Sequence, residues 1–411
     1  MYWTSALVPG RWGRILSYWV GVFTCAAWFF WTVGTYLLTA DLVFGTVTAF
    51  MPEFAATLWQ VYLLYLGVAA WALLINIPLF KIFPLMLKGW VVVVNIATVF
   101  LFVALLARAH PKASAASVFT DFVNETGWSS NGVVFFLGLL PGITAVNGFD
   151  SAAHVAEEMP DPARQIPQVM VWYALMSGIP GIPMVMVYLF CIVDATAMLT
   201  PIGGQPMFQL MHDAFQSKAL LMIGCLIYLG VFYVASASIL TTFSRVIWSF
   251  AGEKGLPAST LLVTVNEEFS LPVNAVVFAT TATALFGLLE LGPSTVLNAI
   301  IGTAAICFFI SYSVPIAAFL AHGRKAAPAK RYFDLGTWGI LFNCLALGWM
   351  MLMIIWLMIP IYLPVTASNM NYSVAVVSGT VLIFGTNWAF YSRKNYAIPK
   401  PLYVDASQDS V

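Results

Sequence analysis

Charged residues are scarce in this chain, and their scarcity excludes a soluble fold of ordinary make-up. Only 8% of the 411 residues are Asp, Glu, Lys or Arg, whereas 61% are hydrophobic. Soluble domains carry about 25% charged residues, and a soluble fold of this length needs them to cover its surface. The composition therefore predicts an integral membrane protein with lipid against much of its surface.

Other absences exclude further classes of protein. The 17 basic and 17 acidic side chains balance, so no basic excess indicates a nucleic-acid partner. The five cysteines all lie in apolar stretches without metal-ligand spacing, which predicts packing residues, no disulfide framework and no metal site. The sequence contains no Gly-x-Gly-x-x-Gly, Gly-x-x-x-x-Gly-Lys, Gly-x-Ser-x-Gly or His-Glu-x-x-His motif. It therefore predicts neither an enzyme nor a cofactor, and no ATP-binding domain.

Long apolar stretches are abundant, and ten of them reach the roughly 20 residues that a membrane-spanning helix needs. Backbone groups in hydrocarbon must form hydrogen bonds within their own segment, which makes helices the expected structure. The predicted spans are Ile15–Phe44, Thr57–Leu79, Leu85–Ala107, Asn131–Ala156, Gln168–Val193, Ala219–Ser249, Pro272–Gly292, Val296–Ala321, Trp338–Ile361 and Tyr372–Ser392.

Lysine and arginine predict the orientation of these spans. With the N-terminus inside, 14 of the 17 basic residues fall on the inner side, and only Arg108, Lys112 and Lys218 fall outside. Inner loops of membrane proteins are rich in basic residues. We therefore expect both termini in the cytoplasm.

One predicted span carries residues that are unusual at membrane depth. Its segment holds Pro141, Gly142, Asn147, Gly148 and Asp150. Such a composition favours a broken helix, whose freed backbone groups are tolerated only where they line a cavity or meet a ligand. An ionisable residue there is costly, which makes Asp150 a candidate functional residue. The alternative is a mere kink, with Asp150 bonded to a neighbouring helix.

The sequence that follows this segment carries a family resemblance. The run Gly-Phe-Asp-Ser-Ala-Ala-His-Val-Ala-Glu-Glu-Met-Pro-Asp-Pro-Ala-Arg-Gln-Ile-Pro, residues 148–167, resembles the amino acid–polyamine–organocation permease superfamily, and within it the fungal GABA permease and choline transporter group. Three further stretches agree with the resemblance, namely residues 2–21, residues 244–257 and residues 369–372.

The resemblance implies an all-α polytopic membrane protein with an inverted-repeat helical bundle. Members have two five-helix repeats and two further helices, and they hold substrate between their unwound first and sixth helices. The first span of this chain matches the family's third helix. We therefore expect ten transmembrane helices, with the first two of the family's twelve missing, in one domain at 1–392 followed by a polar cytoplasmic tail at 393–411.

The resemblance also implies a function. It indicates a secondary transporter of amino acids or related amines, such as GABA, choline or polyamine-like solutes, that works by alternating access with proton coupling. Its expected partners are the solute, protons and the lipid bilayer, in the plasma membrane or the vacuolar membrane, with the oligomeric state open. The alternative is a non-transporting relative that acts as a binding or regulatory membrane protein.

The family's unwound sixth helix maps here onto Thr144, Ala145, Val146, Asn147 and Gly148, which are the expected substrate-binding residues. Asp150 is expected to act in proton coupling or gating. Glu157, Glu158 and Arg164 follow as gating candidates, with simple pairing among themselves and with neighbouring loops as the alternative. Weaker pocket candidates are Asn95, Ser236, Thr241 and Trp28, for each of which helix packing is the alternative. His154 is expected to be a packed polar residue.

The predicted topology is testable with reporter fusions. Fusions after Lys112 and after Lys330 are separated by an odd number of predicted spans. We expect the reporters to lie on opposite sides of the membrane, with Lys330 inside. Two reporters on the same side would contradict the topology.

Overall fold

The computed structural model describes residues 1–8, 10–291, 296–322, 332–367 and 369–398. Within these ranges the regular secondary structure is helical, apart from an isolated antiparallel bridge between Asn266 and Leu271. In chain order the helices are α1 (Tyr2–Leu7), α2 (Gly10–Phe50), α3 (Leu58–Asn76), α4 (Phe83–Arg108), α5 (Ala115–Phe119), α6 (Asn131–Leu137), α7 (Leu140–Ala145), α8 (Ser151–His154), α9 (Pro162–Cys191), α10 (Pro206–Phe215), α11 (Lys218–Gly252), α12 (Ser259–Leu262), α13 (Val273–Phe286), α14 (Val296–His322), α15 (Trp338–Trp356), α16 (Ser373–Asn387) and α17 (Arg393–Asn395).

The predicted spans correspond to helices of this bundle. Eight helices of the described chain are long and apolar enough to cross a membrane, and two shorter apolar helical segments, Asn131–Ala145 and Val273–Leu289, fall where the other two spans are predicted. The polytopic all-helical architecture is therefore confirmed. The predicted span Asn131–Ala156 is divided in the structure into α6, α7 and α8.

The centre of the bundle is α2, which packs against α11 and α14. At 41 residues and 1.5 Å per residue, α2 is about 60 Å long, roughly twice the thickness of the hydrocarbon core. Its buried face includes small residues, and a Cβ on Gly34 would stand 3.1 Å from Ile301 of α14. The glycine therefore allows the two backbones to approach closely, as small residues do between membrane helices.

A buried asparagine ties α3 to α11. Asn76 is fully buried. Its Nδ2 donates to the Ala237 carbonyl at 2.8 Å, and its Oδ1 accepts from the Thr241 hydroxyl at 2.6 Å. Every polar atom of the pair thus has a partner, which is the condition for burying such groups without a penalty.

The chain closes on itself at the end of the bundle that holds Arg14 and Glu253, which we call the basic end. Arg14 Nε donates to the Tyr396 carbonyl at 3.0 Å, and the Tyr396 hydroxyl lies 2.9 Å from Ser17 Oγ. The Ala397 amide donates to the Glu253 carbonyl at 2.9 Å. Tyr396, which the sequence assigned to a polar tail, is therefore a buried anchor.

The outer surface of the bundle is apolar. Helices α4, α9 and α15 bury few of their residues, and their exposed side chains are largely hydrophobic, as expected where lipid replaces water.

The five cysteines are free, and Cys25, Cys191, Cys225 and Cys307 are buried as predicted. Cys344 is exposed, so the prediction that it packs in the interior is wrong. Cys344 lies on α15, which is apolar around most of its circumference, so the periodicity of the sequence does not indicate which face of α15 points inward.

We expect Asn76→Ala to destabilise the fold, because it leaves the Ala237 carbonyl and the Thr241 hydroxyl with fewer buried partners. The loss should be about 1–2 kcal/mol of unfolding free energy. Asn95→Ala is the matched control, since Asn95 is exposed and its Nδ2 donates only to Val91 of its own helix. Thermal unfolding in detergent measures both variants, and equal melting temperatures would contradict the assigned role of Asn76.

Candidate functional site

The predicted helix break is present. Helix α7 ends at Ala145, and α8 begins only at Ser151. Pro141 occupies the first turn of α7, and Gly148 has φ +91°, a conformation that side chains rarely allow. Within the described chain, the amides of Gly148, Phe149 and Asp150 donate no backbone hydrogen bond. The break therefore leaves free backbone donors in the middle of an apolar segment.

Two side chains at the break are buried without full hydrogen bonding. Asn147 Nδ2 and Asp150 Oδ1 have no partner, although both atoms are shielded from solvent. The Asn147 carbonyl, in contrast, accepts from the Tyr173 hydroxyl of α9 at 2.5 Å. A buried polar group without a hydrogen-bond partner costs about 1–3 kcal/mol. Its presence in a folded protein therefore calls for an explanation, and a role in ligand binding is one.

Asp150 lies among a histidine and aromatic side chains. Its Oδ2 is 2.9 Å from His154 Nε2, and the hydroxyls of Tyr173 and Tyr312 interact with it electrostatically. The carboxyl group is fully buried. Among the described residues, no lysine or arginine forms an ion pair with it.

Aromatic rings continue around this carboxyl group. Phe149 packs against Phe308 and Tyr312 of α14, with ring centroids 5.8 and 5.7 Å apart. Trp28 of α2 meets His154 edge to face at 5.8 Å, and its Nε1 is buried without a partner. The site thus combines an uncompensated carboxylate oxygen, spare donors and aromatic faces. Such an arrangement suits a small cation with a polar end.

The other predicted site residues lie elsewhere or serve other contacts. Thr241 bonds Asn76, and the Ser236 hydroxyl donates to Tyr233 of its own helix. Asn95 is exposed on α4, away from the break. For Thr241 and Ser236 these contacts favour the packing alternative, whereas the exposure of Asn95 does not. Pocket lining stays a prediction for all three residues.

Glu158 and Arg164, two of the predicted gating residues at the end of the broken segment, do not pair with each other. Glu158 Oε1 accepts from Arg245 Nε at 2.8 Å, whereas the Arg164 guanidinium lies 5.7 Å from the Tyr332 ring centre. The side chain of Glu157 is outside the described residues. Glu158 thus pairs with a neighbouring element and not with Arg164, and the gating role of these residues stays a prediction.

Sequence reasoning missed Arg245, Tyr173 and Tyr312. Arg245 falls inside the predicted span Ala219–Ser249, so its charge at membrane depth was a usable signal. The tyrosines carried no such signal, because aromatic residues are common in apolar helices and only the fold brings them to Asp150.

A cavity of about 210 Å³ is a separate feature of the described chain. Its lining residues include Leu140, Gly302, Trp356 and Met370. The amide of Asn371, another lining residue, already donates to the carbonyls of Leu357 and Ile359. No acidic or basic residue lines this space, and its amide donors are in use, so it offers no charged recognition. In the described residues, no cluster of three potential ligands could hold a metal ion.

A polytopic helical bundle with a broken helix and unpaired polar groups at the break is an arrangement found in membrane transporters. Residues 1–382 match the family model described as Amino acid permease, so the chain belongs to this family. It is similar to the choline transporter of Saccharomyces cerevisiae, with 29% identity over 397 residues, 96% of this chain and 70% of that protein. It is also similar to a putative amino acid/polyamine transporter of Macrophomina phaseolina, with 27% identity over 379 residues, 91% of this chain and 83% of that protein.

Gly148 provides a direct test of the break. Gly148→Ala should destabilise the protein by about 1–2 kcal/mol, because its positive φ strains any residue with a Cβ. Gly142→Ala is the matched control, since it lies in α7 with nothing within 4 Å of a new Cβ. It should be neutral or slightly stabilising. If thermal unfolding ranks the two variants in the reverse order, residue 148 does not hold the strained conformation.

Proposed function

We propose that this protein is a secondary transporter that carries amino acids or related amines across the membrane by alternating access. The observation that carries the proposal is the pair of unpartnered buried atoms, Asn147 Nδ2 and Asp150 Oδ1, beside a helix break. The names of the choline transporter and the amino acid/polyamine transporter among its relatives support the same class of solute.

The ammonium end of the solute binds at Asp150. A free carboxylate oxygen accepts from a primary ammonium group and attracts a quaternary one, and aromatic faces add cation–π attraction of about 0.5–2 kcal/mol. Trp28, Phe149 and Tyr312 provide such rings close to Asp150 or its partner His154. The solute thereby supplies the positive charge that no described lysine or arginine brings to Asp150.

The polar end of the solute binds at the broken backbone from Thr144 to Gly148. The free amides on the Gly148 side and Asn147 Nδ2 are donors suited to a carboxylate or hydroxyl oxygen. Donors at helix interruptions bind anionic groups in the same way in other transporters. GABA, choline and polyamine-like solutes all present an ammonium group and differ in this second end.

Proton coupling also runs through Asp150. Its Oδ2 contacts His154 Nε2, so a proton can be held between the two side chains and exchanged as the site changes sides. Glu158 and Arg164 act in gating. The transporter domain comprises residues 1–392, with both termini in the cytoplasm and the protein in the plasma membrane, as the bias of basic residues and the family membership support.

Uptake by whole cells tests the transport function. The chain is expressed in yeast cells that lack endogenous uptake of labelled choline, GABA and spermidine, and uptake is measured at acidic and neutral external pH. We expect saturable uptake of at least one solute, faster at acidic pH. If the chain reaches the membrane and none of the three solutes enters, the non-transporting binding protein becomes the better account.

Asp150→Asn tests the role of the carboxylate. It preserves shape while removing charge, and we expect uptake to fall at least about tenfold and to lose its pH dependence. Asp121→Asn is the matched control, since Asp121 is exposed in the connection between α5 and α6. Unchanged uptake with unchanged pH dependence in Asp150→Asn would show that Asp150 only ties its helix to a neighbour.

A further inference from the structure

A buried arginine holds the end of the broken segment. Arg245 of α11 is 3% exposed, and its Nε donates to Glu158 Oε1 at 2.8 Å. Glu158 is the last residue of a single 3₁₀ turn, Ala156–Glu158, that directly follows α8. Among the described residues, no other ion pair joins the segment from α6 to Glu158 to a different helix.

The two partners are held very differently. The Arg245 guanidinium also lies 5.3 Å from the ring centre of Phe80, in the connection between α3 and α4, and its Nη1 is 3.4 Å from Ser244 Oγ. The Glu158 side chain, in contrast, is 47% exposed and makes no other hydrogen bond among the described residues. Arg245 therefore stays with α11 when the pair separates, and Glu158 is the side that moves.

The break allows the two halves of the segment to move separately. On one side, α7 packs on α14, and its Ile143 belongs to the buried cluster that includes Phe309 and Met353. On the other side, α8 contacts α9 and α11. Since no helical hydrogen bonds connect the halves across Val146–Asp150, the α8 half can rotate while the α7 half stays in place.

The pair has the chemistry of a releasable contact. Arg245 Nη2 is buried without a partner, so the guanidinium is bonded to Glu158 through one nitrogen and not through the two-nitrogen fork that makes the strongest pairs. The exposure of Glu158 weakens the pair further by solvent screening. Ser244 and the Phe80 ring continue to stabilise the buried cation when Glu158 leaves.

We propose that Arg245 is a latch residue that holds Glu158, and with it the α8 half of the broken helix, against α11. Release of Glu158 lets this half swing away and opens the basic end of the bundle towards the break. The proposal rests on the transport function for its role in the cycle, but the motion itself is measurable without any solute.

Spin-label distances in the full chain test the latch. Labels are placed at Ala153→Cys in α8 and Ser249→Cys in α11, both exposed positions on the two sides of the pair. The background carries Cys344→Ser, because Cys344 is the exposed native cysteine and the other four are buried. Double electron–electron resonance in lipid nanodiscs then gives the distance distribution between the two helices.

Glu158→Gln removes the charge while preserving size, and we expect the ratio of separated to latched molecules to rise about tenfold. Glu158→Asp should restore most of the latched population, and Arg245→Lys should be intermediate. Asp161→Asn, which changes an exposed carboxylate at the start of α9, should leave the distribution as in the parent protein.

The proposal is overturned if Glu158→Gln has the parent distribution, or if Asp161→Asn separates the labels as much as Glu158→Gln does. The distance between the two labels is measured without solute and does not depend on uptake. A longer distance in Glu158→Gln from a chain that carries no solute would refute the transport function and retain the latch. Solute uptake with an unchanged distance would refute the latch alone.

Discussion

Backbone hydrogen bonding at membrane depth is the constraint on which this structure depends. Every amide and carbonyl in hydrocarbon needs a partner within its own segment, since water is absent. The segment from Val146 to Asp150 departs from this rule, because its amides beyond Asn147 are free and Asn147 Nδ2 and Asp150 Oδ1 are unpartnered. Such a departure persists only where surrounding structure holds it and a ligand or cavity compensates for it.

The surrounding helices keep the broken segment in this conformation. Helices α2, α11 and α14 pack around small residues, and the Asn76–Thr241 pair joins α3 to α11. At the basic end, Tyr396 binds Ser17 and thereby ties the chain's last described residues to the start of α2. These contacts are buried and fully hydrogen-bonded. They provide a fixed frame against which the weakly held α8 half, bonded through a half-exposed Glu158, can move.

Much of the fold could be predicted from the sequence. Hydropathy located all ten helical segments, since the length of an apolar run is a physical requirement for spanning a bilayer. Pro141 and Gly148 located the break, because their backbone preferences are local. The bounds of the individual short helices could not be predicted. Neither could the burial of Tyr396, because it depends on Ser17 and Arg14, which are distant in sequence.

The candidate site was only partly predictable from the sequence, because some of its residues are brought together only by contacts between distant segments. Asn147 and Asp150 carry a local signal, a polar side chain in an apolar run next to glycine. Tyr173, Tyr312 and Trp28 reach the site through tertiary packing that no window of sequence contains. The ion-pair partner of Glu158 is likewise determined by tertiary packing. Arg164 is nearer in sequence, yet Arg245 is the residue that the packing of α8 on α11 brings within reach.

The account's central claim is that solute binds at the break between α7 and α8. The most direct measurement is the alkylation rate of a cysteine introduced as Asn147→Cys in the Cys344→Ser background, with and without the solute that cells take up. We expect saturating solute to slow alkylation there and to leave Met370→Cys, in the separate cavity beside Trp356, unaffected. Protection of residue 370 with an unchanged rate at residue 147 would contradict the claim.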